Sequence, residues 1–584
     1  MKKNLNSFYF AFLLAICGSL SSSGQSFVDL LPIPDTLSGP NYALTIDSSM
    51  HRYRSGGYNF HTFSYNNKGL LGPTLIWHKG DSSQLSVLNN LGDTTTNHWH
   101  GAHVPPGVDG GPHQMITPGM TWMPKKIKML DEPTTMWYHP HLHMKTQMQV
   151  NMGLAGLIII RDKDDTIGAK LPHRYGTDEF PLIFQDRLFE YDSVTQDSVV
   201  NVDCEFGHTY IVNGIQAPIL HVPAQMVRFH ILNGSSGRNF MFGYSDQTQF
   251  KLIATDGGYT AKPYTMSNIP MAPGERSEWV TDFSGKQGET LYVVNRPQLL
   301  DPRLQGSPNP AVTFNCLGKF ILNATDSNTT NLLQIIVDAP TANPVTTLAS
   351  DFEPIAPYGA VDHNRFKELD TLVNKGFPYF FDRTPFIETV INDTILLNST
   401  EKWTITNQTK ESHPFHIHDI NFLVTKFNGS TIIPDHLKGR KDVLMVMIHD
   451  TVEFITQFTT FSTTVDPELA YMYHCHILGH EDAGMMHQFV VINPNTGIAP
   501  VGNELAWNVY PNPTHDNSIN ISGACHTSSL VKVYDVKGGL AQEMKLPAFT
   551  GGINLPLANL PNGMYMVQWN RPDGVWTKKV IIQK

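Results

Sequence analysis

The sequence predicts an all-β protein built from three β-sandwich domains of one kind, followed by a small β-sandwich at the C-terminus. Three observations predict it. Strands that alternate apolar and polar residues and run into Asn or Asn-Gly recur as Gln84–Asn90, Met226–Gly234 and Lys402–Asn407. Closing apolar strands recur as Leu157–Asp162, Leu333–Asp338 and Phe489–Pro494. The spacing, roughly 130 to 175 residues, makes each copy a domain and not a solenoid unit. The 584 residues allow several domains, and 45 Gly with 39 Pro supply many turns.

Taken in order, residues 1–24 read as a secretory signal. Lys2 and Lys3 precede an apolar run, Phe8–Ile16, and then small residues from Gly18 to Gly24. The run is too short for an ordinary spanning helix, so the mature chain is expected to carry no transmembrane segment. There is no twin-Arg, so export in a folded state is not expected. The first sandwich spans 25–165 and carries His98-Trp-His100 and His139-Pro-His141. The second spans 166–340, has no His-rich motif and reads as a spacer. The third spans 341–495 and carries His413-Pro-Phe-His416-Ile-His418 and His474-Cys475-His476. A turn-rich linker, 496–506, leads to a module at 507–584 with short alternating strands around Trp507–Pro513, Val531–Gly538, Leu557–Tyr565 and Thr577–Lys584.

The richest stretch is Tyr473–Met485. It offers a thiolate at Cys475, an imidazole five residues on at His480 and a thioether ten residues on at Met485. Two imidazoles, one thiolate and a weak axial Met form the ligand set of a blue-copper site, and His413 can supply the second imidazole. On a strand, neighbouring side chains point to opposite faces. Cys475 can then serve one copper while His474 and His476 reach others. The His-x-His pairs more naturally feed neighbouring ions than share one. With ligands only in the first and third copies, a cluster would lie between those two domains. A structural zinc site needs only four ligands in closed tetrahedral geometry, far fewer than are gathered here. Most of the other histidines in a chain with 26, such as His51, His173 and His363, are expected to hold no metal.

The four motifs, in this order, resemble the multicopper oxidases over about residues 40–495, with the bacterial copper-efflux and spore-coat enzymes as the nearest subgroup. The resemblance implies cupredoxin-like sandwiches and four copper ions. It implies type 1 ligands at His413, Cys475 and His480 with Met485 axial, and type 2 ligands at His98 and His416. His100, His139, His141, His418, His474 and His476 would bind the type 3 pair. Strand parity alone would allow His143 in place of His139; the family uses the first two histidines of that motif. The resemblance gives Asp109 and Glu481 proton-relay roles beside catalytic Cys475, and puts His480 at the surface to take electrons from substrate. The partners implied are O2 and a small reducing substrate. Residues 505–584 resemble the C-terminal sorting domain of type IX secretion. That implies periplasmic transit, the type IX machinery as partner, and a secreted or cell-surface product; the missing twin-Arg adds the expectation that copper is acquired outside the cytoplasm.

A net charge of −11 with no basic stripe argues against nucleic acid. A nitrite reductase would lack the paired type 3 set. The copper-efflux members carry Asp-Met-Met before the type 1 His and a Met-rich insertion, whereas this chain has Thr409-Lys-Glu-Ser412 and methionines that are spread out apart from Met144, Met148 and Met152. Scarce thioethers disfavour Cu(I) as substrate. The expectation is oxidation of phenols or aryl amines; Cu(I) oxidation, bilirubin-type oxidation and non-catalytic copper binding are the alternatives. Cys204 and Cys316 could pair in an oxidising compartment, yet sequence supplies no geometry, and the expectation is that they do not.

Overall fold

The computed structural model describes residues 26–584 except 193–196, 310–313, 317–318, 322–326, 372–378, 494–507, 526–527, 536–538, 558 and 572–573. The signal segment 1–24 and the linker 496–506 lie outside the described residues. No helix among the described residues is long and apolar enough to cross a membrane.

The threefold repeat is a repeat of topology. Each alternating strand pairs in parallel with an earlier strand of its own domain: Ser82–Asn89 with Asn41–His51, Met226–Asn233 with Glu179–Arg187, and Thr400–Asn407 with His363–Asp370. Each closing strand also pairs in parallel: Gly156–Arg161 with Thr74–His78, Thr330–Asp338 with Ile219–Pro223, and Met486–Ile492 with Asp393–Leu396. Two sheets face one another in every copy, around cores centred on Trp77 and Trp99, on Phe242 and Trp279, and on Trp403 and Phe454.

The Asn that ends each alternating strand has one job in all three domains. Its side-chain oxygen accepts the N–H two residues on, at Leu91, Ser235 and Thr409. Its amide then donates to two loop carbonyls: Asp93 and Ile116 for Asn89, Arg238 and Met271 for Asn233, Glu411 and Val446 for Asn407. A buried loop must satisfy its backbone polar groups, and these amides do so.

One strand departs from expectation. Met226–Asn233 alternates in sequence, so one face should meet solvent; it is buried on both. Its polar residues are paired inside the protein, with acids of domain two and with Thr135 of domain one. His230 contacts Glu179 at 2.8 Å and the Thr135 hydroxyl at 2.5 Å, and Arg228 donates to Glu278 at 2.8 Å. Cys204 departs too, being disulfide-bonded; the side chain of Cys316, the partner weighed from sequence, lies outside the described residues.

The C-terminal module is a three-stranded sheet, with Ser518–Cys525 at its centre, and a four-stranded sheet containing Ser529–Asp535 and Gly563–Arg571. Ile519, Ile521, Val531, Val567 and Trp569 fill its core.

Asn407→Ala strips both amide bonds, so the buried Val446 carbonyl loses its side-chain donor and the Glu411 carbonyl keeps only the Thr409 hydroxyl. It should cost about 2–3 kcal/mol in the copper-free protein, read as a lower denaturation midpoint in urea. An unchanged midpoint would remove the Asn from the list of structural supports.

Candidate metal centre

Strand pairing sets the geometry. His98–His100 runs antiparallel to Thr135–His139, with His98 opposite His139 and His100 opposite Trp137. Alternation sends His98 and His100 to one face and Trp99 into the core of domain one. In domain three His416 lies opposite His474, and Phe415 opposite Cys475. His416 and His474 therefore face domain one, while Cys475 points back into its own sandwich.

The two faces meet. His98 stacks on His418 at 4.0 Å and His100 on His416 at 3.8 Å between ring centres. Ring nitrogens gather into groups within 4.8 Å: His100, His139 and His476; His141, His418 and His474; and His98 with His416 and His418. His143 belongs to none of them, sitting against Phe386 and Glu388.

The donor chemistry fits metal. Nδ1 of His98, His139, His416 and His474 faces the backbone carbonyl of Asp109, Pro140, Asp442 and Cys475 in turn, at 2.7–3.0 Å. A carbonyl only accepts, so each Nδ1 carries the proton and each Nε2 presents a lone pair. Nε2 of His98, His139 and His416 is buried with no hydrogen-bond partner. His474 Nε2 sits 3.1 Å from His141 Nε2 and 3.3 Å from His418 Nε2. Lone pairs crowded this way repel unless a cation lies among them. Burial is the largest influence on His139 and His141; it pulls the first down to about 3 and the second to about 4, so both stay neutral and able to ligate.

A second group lies on the other side of the Cys475 strand. The Cys475 sulfur is 3.4 Å from His413 Nδ1 and 3.6 Å from His480 Nδ1, and those nitrogens are 3.2 Å apart. His413 is oriented by the Thr409 hydroxyl at 2.8 Å on its Nε2. Met485 is fully buried in the same core, and its carbonyl accepts the Cys475 N–H at 3.1 Å.

The carboxylates named from sequence reach the rings. Asp109 Oδ2 is 2.7 Å from His418 Nδ1, and burial holds the Asp109 carboxyl well above its usual range. Glu481 sits between His141 Nδ1 at 3.3 Å and His474 Nδ1 at 3.2 Å, with the Thr146 hydroxyl donating to it at 2.9 Å. Burial would raise Glu481, but the two imidazoles outweigh it and hold the carboxyl low.

Two expectations need correction. His480 is not at the surface; it is only 5% exposed. Glu205 and Glu411 cover it, each with an oxygen 3.6 Å from His480 Nε2, and the Tyr379 ring packs 4.5 Å away. The Tyr379 hydroxyl donates to Glu411. Glu205 and Tyr379 stand in no motif and left no signal in the sequence. Nor is domain two a plain spacer: Glu205 comes from it, and so does Gly274, where a Cβ would meet the His476 ring at 2.9 Å.

A thiolate with two imidazoles, one peptide bond away from a cluster of imidazoles between two sandwiches, suits copper-based electron transfer. Residues 49–165 and 376–495 match the multicopper oxidase family, and residues 508–583 match a secretion system C-terminal sorting domain. A multicopper oxidase of Staphylococcus haemolyticus is 32% identical, covering 78% of this chain and 89% of its own. The cell division protein FtsP of Xenorhabdus nematophila is 30% identical over 82% of this chain and 97% of its own. A solved laccase-like multicopper oxidase of Ochrobactrum sp., described as active towards lignin model compounds, superposes with a TM-score of 0.67 at 30% identity, covering 79% of this chain and all of that one. The chain belongs to the multicopper oxidase family. It is an oxidase of that family, for which copper binding follows, and its last domain marks it for export to the cell surface or beyond.

Because the buried lone pairs need a cation, stripping copper with a chelator should lower the thermal midpoint of the sandwich domains by several degrees. Saturating reload should restore about 4 kcal/mol at a thousandfold excess over Kd. Calorimetry on both forms checks this; equal midpoints would sink the fit.

Proposed function

We propose that this oxidase takes single electrons from phenolic or aryl-amine substrates and couples four of them to the reduction of O2 to two waters. In this reading His413, Cys475, His480 and Met485 hold a type 1 copper. His98 and His416 hold the type 2 ion. His100, His139 and His476 hold one type 3 ion, and His141, His418 and His474 hold the other. Copper bound there supplies one-electron transfer at the first site and oxygen reduction at the cluster. The observation that carries the reading is the place of Cys475 between neighbours that sit in different groups, His474 in one and His476 in the other.

The chain's own residues do the rest. Asp109 Oδ2 accepts from His418 Nδ1, which leaves Nε2 of that ring free to ligate, and Oδ1, without a hydrogen-bond partner, is the oxygen that holds and releases a proton. Glu481 touches two rings of one group and passes protons at His141 and His474. On the substrate side, burial and then Glu411 push Glu205 up to about 8, a range suited to accepting a phenol proton. Those oxygen donors beside His480, in place of thioethers, also disfavour Cu(I). The Ochrobactrum enzyme's described activity agrees with the substrate class. The likeness to a cell division protein extends over the same length, but the clustered donors favour catalysis. The sorting domain supports passage through the type IX machinery, with copper acquired outside the cytoplasm.

Steady-state kinetics on methoxyphenols, aryl amines and Cu(I) test the substrate. Methoxyphenols should give the higher kcat/KM, and a Cu(I) value above every phenol would overturn the phenol reading while leaving the copper sites standing.

Cys475→Ser should abolish the blue thiolate-to-copper absorption and oxidase turnover while the cluster copper stays bound. Near wild-type turnover in that variant would refute the electron path.

A further inference from the structure

Among the described residues domain two supplies no imidazole or thiolate to the cluster, yet one of its turns reaches it. Arg276 is fully buried and donates to both oxygens of Asp442 in domain three, each at 2.5 Å. It also holds the Thr135 carbonyl in domain one at 3.1 Å and the Gly274 carbonyl at 3.1 Å. One guanidinium thus ties all three sandwiches together beside the metal centre.

Asp442 in turn meets two rings in different ways. Its Oδ1 lies 3.4 Å from His100 Nε2, and its backbone oxygen accepts from His416 Nδ1 at 2.9 Å. His100 Nδ1 faces His476 Nε2 at 3.3 Å. So His100 presents Nδ1 to its group, whereas His98, His139 and His416 present Nε2.

The glycines record the same contact. Gly101 ends the His98-Trp-His100-Gly motif with φ +93°, and a Cβ there would lie 2.5 Å from the Arg276 guanidinium and 2.8 Å from Asp442. Gly274 has φ +84° and lies under the His476 ring. Space for the ion pair and for the ring is built into the backbone on both sides.

We propose that Arg276 and Asp442 are positioning residues through which ligand-free domain two sets the tautomer and placement of His100 and His416. The negative charge of the carboxylate, 3.4 Å from His100 Nε2 but outside hydrogen-bond geometry, favours the proton of His100 on that nitrogen, freeing Nδ1 for metal; the Asp442 carbonyl keeps the proton of His416 on Nδ1, freeing Nε2. With both Asp442 oxygens engaged by Arg276, the carboxylate is an acceptor and a point of attachment, not a metal ligand. The cluster is then uneven. The His141, His418 and His474 group rests on Asp109 and Glu481, and the His100 side rests on a charge-neutralised pair anchored in another domain. The inference rests on the cluster assignment proposed above.

The test uses full-length, copper-loaded Asp442→Asn and Arg276→Lys. The first keeps shape and loses charge; the second keeps charge and loses the two-pronged grip. Folding is checked by intact blue absorption, since the Cys475 site is untouched. The expected result is about 10–100-fold weaker retention of cluster copper against a competing chelator, as for loss of a group orienting a metal-bound His. The type 2 copper paramagnetic resonance spectrum should also change. Chelator curves and spectra identical to wild type in either blue, folded variant would overturn the proposal. A variant that loses the blue absorption as well would overturn it too, because the effect would then be general and not confined to the cluster. If wild-type protein itself cannot hold copper in the cluster, the cluster assignment fails first, whatever the variants do.

Discussion

Imidazole lone pairs brought face to face across a domain boundary are the constraint on which this structure turns. His141 and His474 are separated by 333 positions in the chain and by 3.1 Å between ring nitrogens. Lone pairs in that arrangement repel without a cation, and burial keeps the His141 ring neutral. The sandwiches therefore have to deliver their strands to one place with little tolerance. Apolar packing joins the domains, and charge and hydrogen bonds add direction to it.

Domain two does much of that holding. Its strand Met226–Asn233 carries Arg228 and His230 into a network with Glu179, Glu278 and Thr135, all buried. Thr135 begins the strand that ends at His139. Buried ion pairs add little net stability against apolar packing, but breaking one costs about 3–5 kcal/mol, so they fix one arrangement against others. The Arg276–Asp442 pair belongs to the same class of contact, one layer closer to the rings. A domain without ligands can be necessary for ligation in this sense.

The repeated Asn shows how an ordinary sandwich became a metal site. In domain one Asn89 and in domain two Asn233 brace loops that carry no metal-facing ring. In domain three Asn407 accepts from Thr409, and the Thr409 hydroxyl also contacts His413. The same brace thereby becomes a support for a metal-facing ring.

The repeat, the all-β class, the sandwich count and the ligand candidates were legible in sequence because they depend on local pattern. Strand alternation alone places Cys475 opposite to His474, and the motifs His98–His100 and His413–His418 announce their chemistry in a few residues. What the sequence could not decide depends on packing between distant segments. The cover over His480 comes from Glu205 and Tyr379, which carry no motif. The polar face of Met226–Asn233 alternates like a solvent-facing strand, and only the docking of domain one makes it an interior. Strand parity read from sequence would admit His143 beside His139, but the strand ends at His139 and His143 lies in the turn that follows. Arg276, Asp442 and Gly101 lie far apart in the chain, and their common purpose exists only once three sandwiches have closed around the same point.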